Sequence, residues 1–299
     1  MSSYTDNIQT DYTGVKIIDN SNNGIITNTA KRTAGGIVGR FCANGTFSGN
    51  KNSGEVINKA TGADTAVGGI LGYNEDDEIA LNNNTNTGDI TGVMQAGGIA
   101  GLLDSKSADK KVTAASNTNS GNVISTNKNA GGIIGSLRTD NTGHSITGNS
   151  NTGAVTGNES SGGIIGFMAG GGLFDSNTNK ADVISAISDA GGIVGNIEDD
   201  KCNFRHSDVD GVAVIGTLEN KDSAAHYIIT NNTKKNAGKI CGWDGKTKSV
   251  INSDNLLATA FGDGNAIIII SMAAVLVAAA VVFVIVYKKR KQNANLVSE

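Results

Sequence analysis

Short apolar spots, separated by glycine and asparagine, recur in a fixed order along most of this chain. The clearest is a pentapeptide: GGIVG from Gly35, GGILG from Gly68, GGIAG from Gly97, GGIIG from Gly131 and Gly162, GGIVG from Gly191 and GKICG from Gly238. Its third residue is isoleucine each time (Ile37, Ile70, Ile99, Ile133, Ile164, Ile193 and Ile240), and its fourth is Val38, Leu71, Ala100, Ile134, Ile165, Val194 or Cys241. A second pattern precedes it, anchored on Gly24, Gly54, Gly88, Gly121, Gly153 and Ala181. Two residues before the anchor stand Asn22, Asn52, Asn86, Asn119, Asn151 and Asn179, and four before it Asn20, Asn50, Asn84, Asn117, Asn149 and Asn177. Seven before it the residue is apolar (Ile17, Phe47, Leu81, Ala114, Ile146, Phe174), and two after it comes isoleucine or valine (Ile26, Val56, Ile90, Val123, Val155, Val183).

The step between anchors is 28 to 34 residues, a period of solenoids and arrays rather than of a globular enzyme. The three apolar spots are too short for helices and rich in β-branched residues, so they predict strands. Glycine and asparagine between them predict corners of positive φ. Three strands and three corners would close one coil, and stacked coils would pair each strand in parallel with its copies. The predicted fold is all-β: a parallel β-solenoid (β-helix) of seven to eight coils over residues 17–250, followed by one transmembrane α-helix. A worn seventh copy runs from Phe204 to Gly211, and YIITNNTKKNAGKICG reads as the end of an eighth. Asparagines in register predict an amide ladder through Asn22, Asn52, Asn86, Asn119, Asn151 and Asn179. The pentapeptide poses one problem: its third and fourth residues are both apolar, yet neighbours on a flat strand face opposite sides. Either the glycines bend the chain so that both face inward, or an outer layer covers the second.

The segment Ala266 to Tyr287 is 22 uncharged residues, long enough to span a bilayer core. Lys288 to Lys291 follow at once, which places that end in the cytoplasm. The expected organisation is an N-terminal segment 1–16, the repeat ectodomain 17–250, a juxtamembrane linker 251–265, the span 266–287 and a basic tail 288–299. No signal peptide precedes the repeats, so either the protein is tail-anchored or the sequence starts within a longer one.

Composition agrees with a scaffold built from small residues. Glycine is 41 of 299, proline is absent and aromatic residues are 4%. The chain's net charge is −4 and its tail carries +3, so residues 1–265 carry −7, which argues against nucleic acid as a partner. Cys42, Cys202 and Cys241 show no metal spacing and read as ordinary buried residues, Cys241 because it replaces an aliphatic core residue. A phosphate loop would occur once and open a helix, so the glycine stretches predict no nucleotide, and neither cofactor nor metal is expected.

At these residues the chain resembles the GLUG-motif repeat of large surface and secreted proteins, with isoleucine in place of the usual leucine, over about residues 17–242. The resemblance implies a β-solenoid stalk of an adhesin-like molecule and transfers no catalytic residue. Its architecture also resembles type I surface proteins of parasitic protists. Two local clusters compete with that reading. Glu198 to Asp208 gathers Asp199, Asp200, Lys201, Arg205, His206 and Asp208, and Asn74 to Glu78 gathers carboxylates without the ligand spacing of a calcium loop. Both are expected to be solvated loops. Sequons at Asn44, Asn83, Asn158 and Asn231 are the candidate glycosylation sites of a lumenal domain.

The expected function is that of a single-pass plasma-membrane protein, N-terminus outside. It would act in adhesion or as a spacer without catalysis, with host or neighbouring-cell glycans or proteins as partners. The alternatives are a membrane-tethered polysaccharide-active enzyme and a partial product of a larger surface protein.

Overall fold

The computed structural model describes residues 14–198, except 30, 31, 63, 76, 106–108, 140 and 188, and beyond these only the backbone of short strands up to Cys241–Trp243. Every strand pairing is parallel. The chain is a parallel β-solenoid. Its start-of-coil strands stack as Val15–Ile18, Gly45–Ser48, Ile79–Asn82, Val112–Ala115, His144–Thr147 and Gly172–Asp175, so about five full turns carry Val15 to Gly172.

Each coil holds five short strands rather than the three expected. In the third coil these are Ile79–Asn82, Thr85–Asn86, Ile90–Gly92, Gln95–Gly97 and Ala100–Ser105. Repetition arranges them in five sheets, here numbered one to five in that order. The extra strands come from splitting: the asparagine pair forms a strand of its own, and the pentapeptide is shared between two strands with a bend at its second and third residues.

That bend answers the problem of adjacent apolar residues. The amides of Ile99 and Ala100 both donate to the carbonyl of Ile133, each at 2.9 Å, and those of Ile133 and Ile134 both donate to Ile164. Two consecutive amides converging on one acceptor make a bulge, which cancels the alternation of side chains. Ile70 and Leu71, Ile99 and Ala100, Ile133 and Ile134 all face the same core and are fully buried. No outer layer is needed to cover the second residue.

The corners also work differently from expectation. Positive φ falls five residues before the anchor, at Asp19, Gly49, Asn83, Ser116, Gly148 and Ser176, between the first and second strands. Only two of these six are glycine. The anchor glycines serve close approach instead: a Cβ on Gly54 would sit 2.0 Å from the Gly24 carbonyl oxygen of the preceding coil. Stacking, not dihedral angle, excludes a side chain there.

Two rows of asparagine run inside the coils. In one, Asn20 Nδ2 donates to Asn50 Oδ1 at 3.0 Å, and the chain of bonds continues through Asn84, Asn117, Asn149 and Asn177 at 2.9 to 3.0 Å. The second Nδ2 hydrogen of Asn117 goes to the Leu81 carbonyl at 2.7 Å, and its Oδ1 accepts both the backbone amide and the side-chain amide of Asn84. In the other row Asn22 donates to Asn52, and Asn52, Asn86, Asn119 and Asn151 each donate onward, the last to Asn179, at 2.7 to 2.9 Å. With the amides saturated, burial costs these polar groups little.

The second row divides the interior. Where Gly98 would carry a Cβ, Asn119 Cγ lies 2.4 Å away and Gly132 O 2.1 Å away, and the same relation repeats at Gly36, Gly69, Gly132 and Gly163. Asparagine from sheet two and glycine from the pentapeptide therefore meet at a waist. On one side lies a core of Phe47, Leu81, Ile99, Ile133, Ile146 and Phe174; on the other a smaller one of Val56, Val67, Ile90, Ala96, Val123 and Val155.

Ile37 is half-buried in the first coil, Ile70, Ile99, Ile133, Ile164 and Ile193 are fully buried, and Ile240 lies outside the described residues. The worn copies keep register: Phe174 pairs with Phe204, Phe204 with Ile229, Asn179 with Val209 and Val194 with Cys241. The side chains of Cys202 and Cys241 lie outside the described residues, but Cys42 corrects the expectation of a buried residue. It is exposed, in the link out of the first coil, because that position has left the strand that feeds the core. Among the described residues no helix is long and apolar enough to cross a membrane, and the segment 266–287 lies outside them.

One buried group makes stability depend on pH. His144 is 2% exposed, its Nδ1 accepts the Val112 amide at 2.9 Å, and its Nε2 lies 3.1 Å from Thr139 Oγ1. Burial first, and Lys111 after it, lower its pKa from 6.5 to about 4. A proton on Nδ1 would break the bond to Val112. The unfolded chain binds that proton more readily, so the contribution is complete above pH 6.5 and is lost as pH falls from 6.5 to 4. We expect a loss of about 3 kcal/mol across that window. Denaturation followed against pH checks it, because His144→Val should lack this component of the slope whatever its absolute stability.

Candidate binding groove

The bend in the pentapeptide folds the fourth and fifth strands of each coil against each other and creates a seam on the outside of the solenoid. The residues just after each pentapeptide stack beneath it, Tyr73, Leu102 and Ser136 buried and Arg40, Phe167 and Asn196 at least partly exposed. In register these are Arg40, Tyr73, Leu102, Ser136, Phe167 and Asn196. Six unlike residues occupy this position, next to a pentapeptide whose glycines and isoleucine repeat in all six copies. Facing them, the fourth strands contribute Ala66, Gln95, Asn129, Ser160 and Asp189, and Asn129 Nδ2 donates to Gln95 Oε1 at 3.1 Å and to Ser136 Oγ at 3.0 Å.

Two residues further along the fifth strands come Glu75, Asp104 and Arg138, again in register. The second coil has the longest link between third and fourth strands, residues 59–65, and this loop carries Asp64 across two coils to Arg138, 3.5 Å away. Two hollows result, of about 540 and 460 Å³. The first is lined by Arg32, Lys59 and Thr65, the second by Asp104, Arg138, Phe167 and Glu198, and both by Asp64, Tyr73 and Glu75. Together they form a groove along the solenoid axis.

The electrostatics are balanced. Arg40 pairs with Glu75, and its guanidinium lies 5.8 Å from the centre of the Tyr73 ring, a cation–π distance. The Tyr73 hydroxyl donates to Asp104 Oδ2 at 3.4 Å. Burial, then the charges of Asp104 and Asp64, push its pKa up to about 12, so it stays protonated and acts as a donor. Arg32 holds a φ of 93°, a strained value for a residue with a side chain, on the wall of the first hollow.

The sites expected from sequence lie elsewhere. Asn74 is buried with Nδ2 donating to the Asp77 carbonyl at 2.9 Å, so the acidic run Asn74 to Glu78 turns its first member inward while Glu75 goes to the groove. No group of three or more His, Cys, Asp or Glu that could hold a metal occurs among the described residues. Of the cluster from Glu198 to Asp208, only Glu198 has a described side chain; Asp199, Asp200, Lys201 and His206 lie outside the described residues, as do the side chains of Arg205 and Asp208. Asn83 is exposed at a positive-φ corner. Asn44 and Asn158 are half-buried, Asn44 Oδ1 accepting from the Glu78 amide at 2.8 Å and Asn158 Nδ2 donating to the Asn127 carbonyl at 3.2 Å. Asn231 lies outside the described residues.

Reading the repeat for what is constant missed the groove. Its signal was the reverse: positions beside the most regular motif that change from copy to copy.

No protein-family model matches the chain, and no curated protein matches it. A solved structure that it resembles is a putative immunoglobulin A1 protease from Bacteroides ovatus, with 19% identity and a TM-score of 0.47. The match covers 74% of this chain and 66% of that one.

Proposed function

We propose that this chain is a membrane-anchored cell-surface protein of the GLUG-motif repeat type, which presents a β-solenoid for adhesion and has no catalytic activity of its own. The observation that carries this is the segregation of its side chains. Glycine, asparagine, isoleucine and valine repeat where the coil needs corners, ladders and core, and the unlike groups Asp64, Tyr73, Glu75, Asp104, Arg138 and Phe167 line the two hollows. A surface that is rigid by stacking and varied along one line suits recognition of a partner. The uncharged segment 266–287 and the following Lys288, Lys289, Arg290 and Lys291 support an anchor with the solenoid outside the cell. Many copies on a membrane would strengthen individually weak contacts.

Cells displaying the full chain, tagged at both ends, test this reading. External protease should remove the N-terminal tag and spare the C-terminal one, and the cells should adhere to partner cells more than untransfected controls. Adherence should fall when Arg138 and Phe167 are both replaced by alanine. Loss of the C-terminal tag to protease, or no gain in adherence, would overturn it.

A further inference from the structure

We propose that the groove on the outer seam holds an extended, uncharged oligosaccharide lying parallel to the solenoid axis, an assignment that rests on the binding role proposed above. The groove's length comes first. It runs from Arg32 in the first coil to Glu198 in the sixth, five coil steps of about 4.8 Å, or roughly 24 Å. A linear chain fits that extent better than a compact ligand. Charge comes second. Among the described residues its walls carry Arg32, Lys59 and Arg138 against Asp64, Glu75, Asp104 and Glu198, Arg40 pairs with Glu75 at its edge, and Arg138–Asp64 is an ion pair across it. A polyanion would meet no net positive charge, whereas hydroxyl groups, which donate and accept at once, match neighbouring carboxylates and guanidinium groups.

The backbone argues against a peptide. Extended peptides dock by adding a strand to an open sheet edge. The fifth strands of the second to fifth coils are each paired on both sides by neighbouring coils, and only Val38–Phe41 of the first coil is a sheet edge, so the groove lies over a sheet face along most of its length. Recognition must come from side chains. Phe167 and Ala169 are half-buried and supply an apolar patch for the carbon–hydrogen face of a sugar ring. At the other end, Thr65 is 2% exposed, lines the first hollow and has a hydroxyl without a hydrogen-bond partner. A buried hydroxyl left so is a ready partner for a ligand hydroxyl.

The test uses the full chain in detergent micelles, titrated with neutral pentasaccharides of β-1,4-linked glucose, β-1,4-linked N-acetylglucosamine and α-1,4-linked glucose. An oligogalacturonate and an unstructured peptide of similar length serve as the anionic and peptide probes. At least one neutral chain should bind, with little change on raising salt, and Phe167→Ala and Arg138→Ala should each weaken it at least tenfold. Thr118→Ala, on the exposed face of the second sheet, should change nothing. Groove-dependent binding of only the anionic or peptide probe would overturn the sugar assignment and keep the groove. Adherence lost in Phe167→Ala but competed by no neutral chain would do the same. Adherence unchanged in both groove variants, with no probe bound, would overturn the groove's binding role as well.

Discussion

Ile133→Asp is expected to destabilise the solenoid by about 4 kcal/mol or more, enough to unfold most proteins of ordinary stability. Ile133 is fully buried in the larger core, between Ile99 of the preceding coil and Ile164 of the next. Its carbonyl accepts the amides of Ile99 and Ala100, and its own amide donates to Ile164 at 3.0 Å. The substitution removes an aliphatic side chain worth about 2 kcal/mol of burial and puts a carboxyl where no donor faces it. Because each coil is held by its neighbours, the damage should spread along the stack rather than stay in one turn. Hydrogen exchange should show faster opening at Ile99 and Ile164 as well. Ile133→Val is the control, expected to cost about 1 kcal/mol. A denaturation midpoint for the aspartate variant equal to that of the parent would remove this residue from the interior.

Gly98→Ala should be nearly as damaging, although conformational arguments point the other way. The backbone at Gly98 is not in the left-handed region, so alanine would be expected there to stabilise slightly by restricting the unfolded chain. Packing reverses the sign. The new methyl would lie 2.1 Å from the Gly132 carbonyl oxygen and 2.4 Å from Asn119 Cγ, both fixed by hydrogen bonds to adjoining coils. Relief requires opening the spacing between coils or breaking the asparagine row, for a loss of about 3 kcal/mol. Gly39→Ala belongs to the same motif but meets only Thr33, at 3.6 Å, and should be close to neutral. Urea denaturation of the two variants separates the explanations: equal midpoints would mean that the waist is loose.

Period and residue type carried the architecture into the sequence. A step of 28 to 34 residues, β-branched spots and asparagines in register were sufficient for a parallel β-solenoid, since a short repeat that cannot bury its own apolar face must stack on its copies. The inward direction of both apolar residues in the pentapeptide was beyond reach, because it follows from two amides sharing one carbonyl of the next coil. So was the work done by the glycines. Glycine is selected either by positive φ or by close approach, and a sequence does not distinguish them; only stacking set Gly54 against Gly24 and Gly98 against Asn119. The groove is the clearest case. Arg40, Tyr73, Leu102, Ser136 and Phe167 are about thirty residues apart in the chain and look like noise beside the conserved pattern of the repeat. Parallel register turns that separation into about 4.8 Å per step, stacking these residues in one row and, two positions further on, bringing Glu75, Asp104 and Arg138 together at the hollows.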